Sequence, residues 1–211
     1  MSDSDNYHHP DLRRTLLDEA LKLLRKEGIK GFSLRSLAAA SGVSHAAPYR
    51  HFGSKDAILA ALLVEGHRLL ATKLLDVREA RHGSALDRLG ALGRAYLDFA
   101  RENPERLGLM FSRDGIKAAE ETGPDKDSGH GENVDSFAPL EETVRECQAE
   151  GSLDPAADTG VLSMAIWSLL HGLALLRNEG IIDYMSRTRG AVGDDTVEGV
   201  LAFLRRDAFR G

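Results

Sequence analysis

The residues with the most chemical promise lie between Ser33 and Lys55, in SLRSLAAASGVSHAAPYRHFGSK. At its centre stand His45, Ala46 and Ala47. At the start of a helix, the imidazole can donate or accept towards a base edge, and the two methyl groups can pack on a thymine methyl. That is the chemistry of reading duplex DNA, and it requires a short helix whose first turns enter the major groove. The flanking residues supply the support. Leu34, Leu37 and Ala38 form an apolar stripe, and Ser33 is a good N-cap for the helix that carries it. Gly42 falls where that helix must stop and the chain must turn, a left-handed position that glycine fills cheaply. Val43 then returns to the core, and Ser44 is placed to cap a second helix running through Tyr49 and Phe52. Two helices packed steeply across so short a turn form a helix-turn-helix. With Ser44 as cap, Pro48 is the fourth helical residue and removes about one backbone bond, which stiffens or shifts the helix without abolishing it. The next helix opens after Ser54, and its N-terminus, with Lys55, favours an anion.

The run LRSLAAASGVSHAAPYRHFGSKDAIL resembles the N-terminal domain of the tetracycline-repressor (TetR) family of bacterial transcriptional regulators. The features that carry the resemblance are Leu37-Ala38, Gly42-Val43-Ser44, Tyr49-x-His51-Phe52 and Ser54-Lys55-Asp56. Pro48 departs from the family pattern, which usually has an apolar residue without a ring there. The resemblance implies DNA contacts at Arg35, Ser44, His45, Ala46, Ala47, Tyr49, Arg50, His51 and Lys55. Arg35 matches a position that reaches into the groove, where an arginine suits guanine O6 and N7. Tyr49, His51 and Lys55 match positions that hold the phosphate backbone, and Arg50 can serve base or phosphate. His8, His9, Arg13 and Arg14 read as a flexible tail, and the histidine pair is too local for a metal site.

Charge supports this division. The net charge is −6, yet between Pro10 and Ala60 nine Lys/Arg stand against five Asp/Glu, while beyond residue 60 there are 18 basic and 26 acidic residues. A positive head on an acidic body attracts phosphate with one face and repels it elsewhere. Hydrophobic content of 42% and a length of 211 residues suit one or two ordinary domains. A single cysteine, Cys147, allows no internal disulfide. No basic-then-apolar leader opens the chain, and Gly160–Leu176 is short for a membrane span, so a cytoplasmic protein without a membrane partner is expected.

Strand signals are nearly absent, and the fold class expected is all-α with about nine helices. Residues 1–54 form the helix-turn-helix DNA-binding domain, and 55–211 a ligand-binding and dimerisation domain. The first helix spans about Pro10–Lys26 and ends at Gly28; the fourth runs from Ser54 towards Arg78. Ser84-x-x-Asp87 is a capping box for a fifth helix ending at Asn103, and Pro104 starts a short sixth. Residues 112–136 read as a loop or partly disordered segment. A seventh helix covers about Pro139–Ala149. Asp154-Pro155 caps and starts an eighth, apolar nearly all round until Arg177 and ended by Gly180, and a ninth runs about Thr196–Arg206. A helix apolar on every side must be covered on every side, so a homodimer through the eighth and ninth helices is expected.

Trp167-x-x-x-His171-Gly172 resembles the WHG-type C-terminal ligand-binding domain of the same family. Trp167 and His171 share a helix face. Tyr96, Phe99, Met110 and Phe111 join them as expected pocket walls for a small-molecule effector, and Gly172 is expected to permit close helix approach. Together the resemblances imply a repressor that binds a palindromic operator as a dimer and is released by a ligand, which shifts the population of two arrangements through the sixth and fourth helices. The rival reading is an architectural or partner-recruiting DNA-binding protein with no ligand. No catalytic constellation, metal-ligand spacing or cofactor motif is legible, so no enzyme, metal or cofactor is expected.

Overall fold

Leucine and alanine at helical spacing dominate the apolar stretches, and in the computed structural model the described residues (9–80, 83–122, 135–189, 199 and 202) form helices and no strand. Among them are α1 (His9–Gly31), α2 (Leu34–Ala40), α3 (Ala46–Phe52), α4 (Lys55–Glu79), α5 (Ala85–Glu102), α6 (Pro104–Met110), α7 (Arg113–Thr122), α8 (Ala138–Ala149), α9 (Thr159–Asn178) and α10 (Ile181–Arg189). Gly28 breaks α1 with φ 67° and ψ 174°, just before the helix-turn-helix begins. Ser84 and Asp87 exchange reciprocal bonds at the start of α5, the capping box expected there. Asn103 closes α5, and Pro104 opens α6, where its missing N–H leaves no bond unmade.

Four expectations need correction. Residues 113–122 are helix, not loop: the Ser112 hydroxyl accepts from Gly115 N at 2.9 Å, Ser112 O accepts from Ile116 N at 3.0 Å, and Ala118 is buried. Gly115 there is a packing residue, since a Cβ would collide with the Leu109 carbonyl. The remainder of that segment up to residue 134 lies outside the described residues. The long apolar helix starts at Thr159, not Pro155, because the Asp158 carboxylate accepts from Val161 N at 2.9 Å, whereas Asp154 accepts from Ala156 N and closes a turn. After Gly180 the chain folds at once into α10, a helix the sequence reading lacked. Finally Arg13 is not part of a tail: its guanidinium lies 4.9 Å from the centre of the Phe52 ring, a cation–π contact. His8 and most of the expected ninth helix lie outside the described residues.

The helices group into two compact units. The first closes at Gly66 and takes in the segment from Glu105, which includes α7; the second holds His67–Pro104 and the described residues from 135 onwards. The helix α4 therefore contributes to both, and the first unit extends beyond the boundary at residue 54 that the sequence suggests. In the first, Leu16, Leu37, Ile58 and Leu62 are fully buried and Phe32 nearly so, with Val43 and Phe52 packed against them. Within it α6 is held by Arg106, which ion-pairs with Glu65 at 3.0 Å, by Glu105, which meets Arg25 at 3.0 Å, and by Met110 packed on Gly66. In the second unit α5, α8 and α9 pack on one another.

Candidate nucleic-acid interface and effector site

The helix-turn-helix, the reading unit expected from the sequence, is built from local chemistry. Ser33 has extended backbone, its hydroxyl accepts from Ser36 N at 3.1 Å, and the Ser36 hydroxyl accepts from Ser33 N at 3.1 Å. This pair satisfies donors at the start of α2 that no helix turn precedes. Leu34, Leu37 and Ala38 then bury the inner face of α2. Gly42 turns with φ 65°, and Val43 N donates to Ala38 O at 3.1 Å. Ser44 does not cap α3 with its side chain; its carbonyl accepts from Ala47 N at 3.0 Å, and His45, already in helical conformation, stands at the cap position. The shift of start matters for Pro48. As the third residue of α3 it occupies a position whose N–H has no partner in the helix, so it removes no bond, and its ring is buried.

On the outer surface of this unit Arg35, Ser44, His45, Ala46 and Arg50 are exposed, and Tyr49 is 57% exposed. Ala47, His51 and Lys55 are half-buried. Tyr49 and its chain neighbour Arg50 both stand in water on this surface, where a phenol and a guanidinium can each donate to an anion. The Lys55 ammonium donates to Ile29 O at 2.6 Å and sits 5.9 Å from the Phe32 ring, tying the start of α4 to the broken end of α1. An ammonium has three donors, so this tie leaves capacity for a phosphate.

The second unit holds a cluster of a different kind. The Trp167 and His171 rings, one turn apart on α9, stack at 4.8 Å with planes 16° apart. Tyr96 of α5 is 4% exposed, and its hydroxyl lies 2.6 Å from His171 Nδ1. Trp167 also hydrogen-bonds to Tyr96. An indole N–H can only donate, so the Tyr96 oxygen is the acceptor towards Trp167, and the direction of its bond to His171 Nδ1 follows the imidazole tautomer. Burial lowers the pKa of His171 and raises that of the Tyr96 phenol, so both are neutral at pH 7. Phe137, just before α8, sets its ring edge on Trp167 at 6.5 Å and 80°. Next to it the Ser136 hydroxyl lies 2.9 Å from His67 Nδ1 of α4; burial lowers the His67 pKa, with Asp135 acting in the opposite sense.

Of the expected pocket walls, Tyr96, Trp167 and His171 come together. Phe99 is buried on α5 at 2% exposure, and Met110 and Phe111 belong to the first unit. Around Gly172 a Cβ would meet nothing within 4 Å, so no close helix approach within the chain requires it. Phe137, Ser136 and His67 were missed, because nothing in their local spacing sets them apart from other polar and aromatic residues.

The description "Tetracyclin repressor-like, C-terminal domain" matches residues 89–201, and "Bacterial regulatory proteins, tetR family" matches residues 16–62. The chain belongs to the tetracycline-repressor family. A solved structure of a protein of unknown function from Rhodococcus sp. RHA1 is 32% identical, superposes with a TM-score of 0.73, and is matched over 98% of this chain and 100% of its own. The tetracycline repressor protein class D of Escherichia coli is 35% identical over 116 residues, 54% of this chain and 47% of that protein. The chain thus spans about half the length of the curated relatives it matches. The Bacillus subtilis regulator FadR, solved with stearoyl-CoA, shares the fold at a TM-score of 0.68 and 13% identity, over 92% of this chain and 97% of its own. In this TetR-family chain the N-terminal match covers the reading unit, and the C-terminal match covers Tyr96, Phe137, Trp167 and His171.

Proposed function

We propose that this TetR-family chain is a repressor that binds a palindromic operator as a two-fold dimer and is released from it by a small molecule. The observation that carries the DNA half is the row of exposed Arg35, His45, Tyr49 and Arg50 on the helix-turn-helix. Arg35 serves a guanine edge, His45 with Ala46 and Ala47 serves base edges, and Tyr49, Arg50, His51 and Lys55 serve phosphates. Three or four phosphates per subunit give a slope of log affinity against log salt of about −5 to −7 for the dimer.

The dimer is supported by α9. Val161, Met164, Leu169, Leu175 and Leu176 are 67%, 51%, 39%, 42% and 46% exposed, on a helix with no charged residue before Arg177. Small Ser168 and Gly172 lie between them, which suits close approach of an identical helix across a two-fold axis. Membrane insertion is the other use of such a helix, which is long and apolar enough to cross a bilayer. Its other face, Leu162, Ile166, Leu170 and Leu173, is buried in a unit where α9 packs on α5 and α8, and that supports a second copy of the chain and a cytoplasmic protein. The effector half rests on the stacked Trp167 and His171 with Tyr96, a set of neutral polar and aromatic groups suited to an uncharged or apolar compound.

The test has four arms. Selection from random duplexes should return a palindrome, light scattering should give a dimer, and Leu169→Glu with Leu176→Glu should give monomers that lose the palindrome. A thermal-shift screen of apolar compounds should yield one that raises the melting temperature and lowers operator affinity. A strictly monomeric protein with no palindrome preference ends the proposal, and a screen without any such compound leaves a DNA-binding protein without an effector.

A further inference from the structure

The helix α7 takes no part in the helix-turn-helix or in the aromatic cluster, yet it lines one side of a cavity of about 260 Å³. The other walls are the broken end of α1 and the start of α4, so the whole cavity belongs to the first unit. Part of its lining is apolar and firmly packed, with Leu59 and Ala118 at 1% and 2% exposure. Around that lie three cations, Lys30, Lys55 and Lys117, and three carboxylates, Asp56, Asp114 and Glu121. These opposite charges scarcely use one another. Lys117 and Glu121, one turn apart on α7, meet at 3.5 Å, while the side chains of Lys30, Asp56 and Asp114 form no ion pair among the described residues. We propose that this cavity is a second ligand site, which takes a small zwitterion with an apolar body, of the size of a free amino acid or dipeptide, and that its occupant competes with operator phosphate for Lys55.

Charge selects the class of ligand. A plain anion would be repelled by the three carboxylates, and a plain cation by the three lysines. A molecule that carries one carboxylate and one ammonium can turn each towards its opposite and bridge groups that do not reach each other. Leu59 and Ala118 give its body an apolar surface to cover. The volume falls just under the range of about 300–1,000 Å³ that drug-sized ligands occupy, which suits a small metabolite. Most of the charged side chains stand in water, so screening holds the affinity to about the millimolar range. Lys55 links the cavity to DNA. The Ile29 carbonyl takes one of its three donors at 2.6 Å, and a bound carboxylate takes a second and neutralises the charge that a phosphate would meet. The competition rests on the reading of Lys55 as a phosphate contact, whereas the ligand site does not.

The experiment uses the full-length protein, its selected palindromic duplex, and L-leucine, L-phenylalanine and leucyl-glycine as probes. Isothermal titration should show binding of at least one probe to the DNA-free protein. Isoamylamine, which is leucine without its carboxylate, and N-acetyl-leucine, whose ammonium is acylated, should not bind. Asp114→Asn and Lys30→Gln should each weaken the zwitterion by about tenfold, the scale of one charged hydrogen bond. A probe at ten times its Kd should lower palindrome affinity of the wild type by at least about tenfold, and Asp114→Asn should remove most of that loss. No binding by any probe overturns the proposal, as does equal binding of the amine or the acetylated acid, or binding that both variants leave unchanged. A probe that binds without weakening the operator complex overturns the competition. A wild-type protein that selects no palindrome removes the operator reading instead, and the titrations on DNA-free protein still decide whether the site exists.

Discussion

The two units solve opposite problems with the same secondary structure. In the first unit the side chains proposed to meet DNA stand in water on an apolar support: Tyr49, Arg50 and His45 outside, Leu16, Leu37 and Leu62 inside. In the second unit the polar atoms are drawn inward, and Tyr96, Trp167 and His171 satisfy one another. Function and stability are therefore separable in the first unit and entangled in the second. The only tryptophan lies in the second unit, so its fluorescence follows that unit alone, while helix content by circular dichroism follows both.

The largest effect expected is that of Leu37→Ala. This fully buried residue joins α2 to the core, and its truncation should cost the first unit about 2–5 kcal/mol. Urea unfolding should show an early loss of helix signal with the tryptophan transition unmoved; coincident shifts of both would mean that the units unfold as one. Arg35→Ala should weaken operator binding by about 1–3 kcal/mol and leave both unfolding transitions in place. Unchanged affinity would remove Arg35 from the interface.

Tyr96→Phe reverses that pattern. It deletes the hydroxyl bonded to His171 and Trp167, and should lower the stability of the second unit by about 1 kcal/mol, seen in the tryptophan transition. DNA affinity of the ligand-free protein should hold, and a compound found by screening should bind more weakly. The smallest effect expected is that of pH. Burial lowers the pKa values of His67 and His171, so below about pH 6.5 the unfolded chain takes up protons that the folded second unit resists. Stability of that unit should therefore fall as pH drops through about 6.5 towards the folded values, and His171→Asn should flatten the dependence. A tryptophan transition that is the same at pH 7.5 and 5.5 would show that neither ring is held neutral by the fold.

The same contrast governs what could be read from residue order. Ser33, Gly42, Ser84 with Asp87, and Asn103-Pro104 act on neighbours within four residues, and their helix boundaries appear where local chemistry puts them. The turn and the two short helices of the helix-turn-helix are legible for the same reason, whereas the DNA contacts expected on it come from the family resemblance. Ser44 failed as a side-chain cap because the turn closed through its carbonyl, and α7 was missed because its segment carries glycines, acids and few apolar residues, although Gly115 makes room for the Leu109 carbonyl. Phe137, Ser136 and His67 were invisible because their partners lie 30 or more residues away in the chain. Trp167 and His171 were found through their resemblance to the family's C-terminal domain, but the Tyr96 bond needed the fold.

Cys147 is the sole sulfhydryl of the chain, fully buried, and burial pushes its pKa up to about 12. At neutral pH it has almost no thiolate with which to attack an alkylating dye. A cysteine introduced at an exposed position outside the residues proposed to meet DNA, as in Lys26→Cys on α1, is therefore the one position a maleimide fluorophore would label, with the native thiol left in place. Distances between the two heads of an assembled pair then become measurable by energy transfer, in the presence and absence of operator.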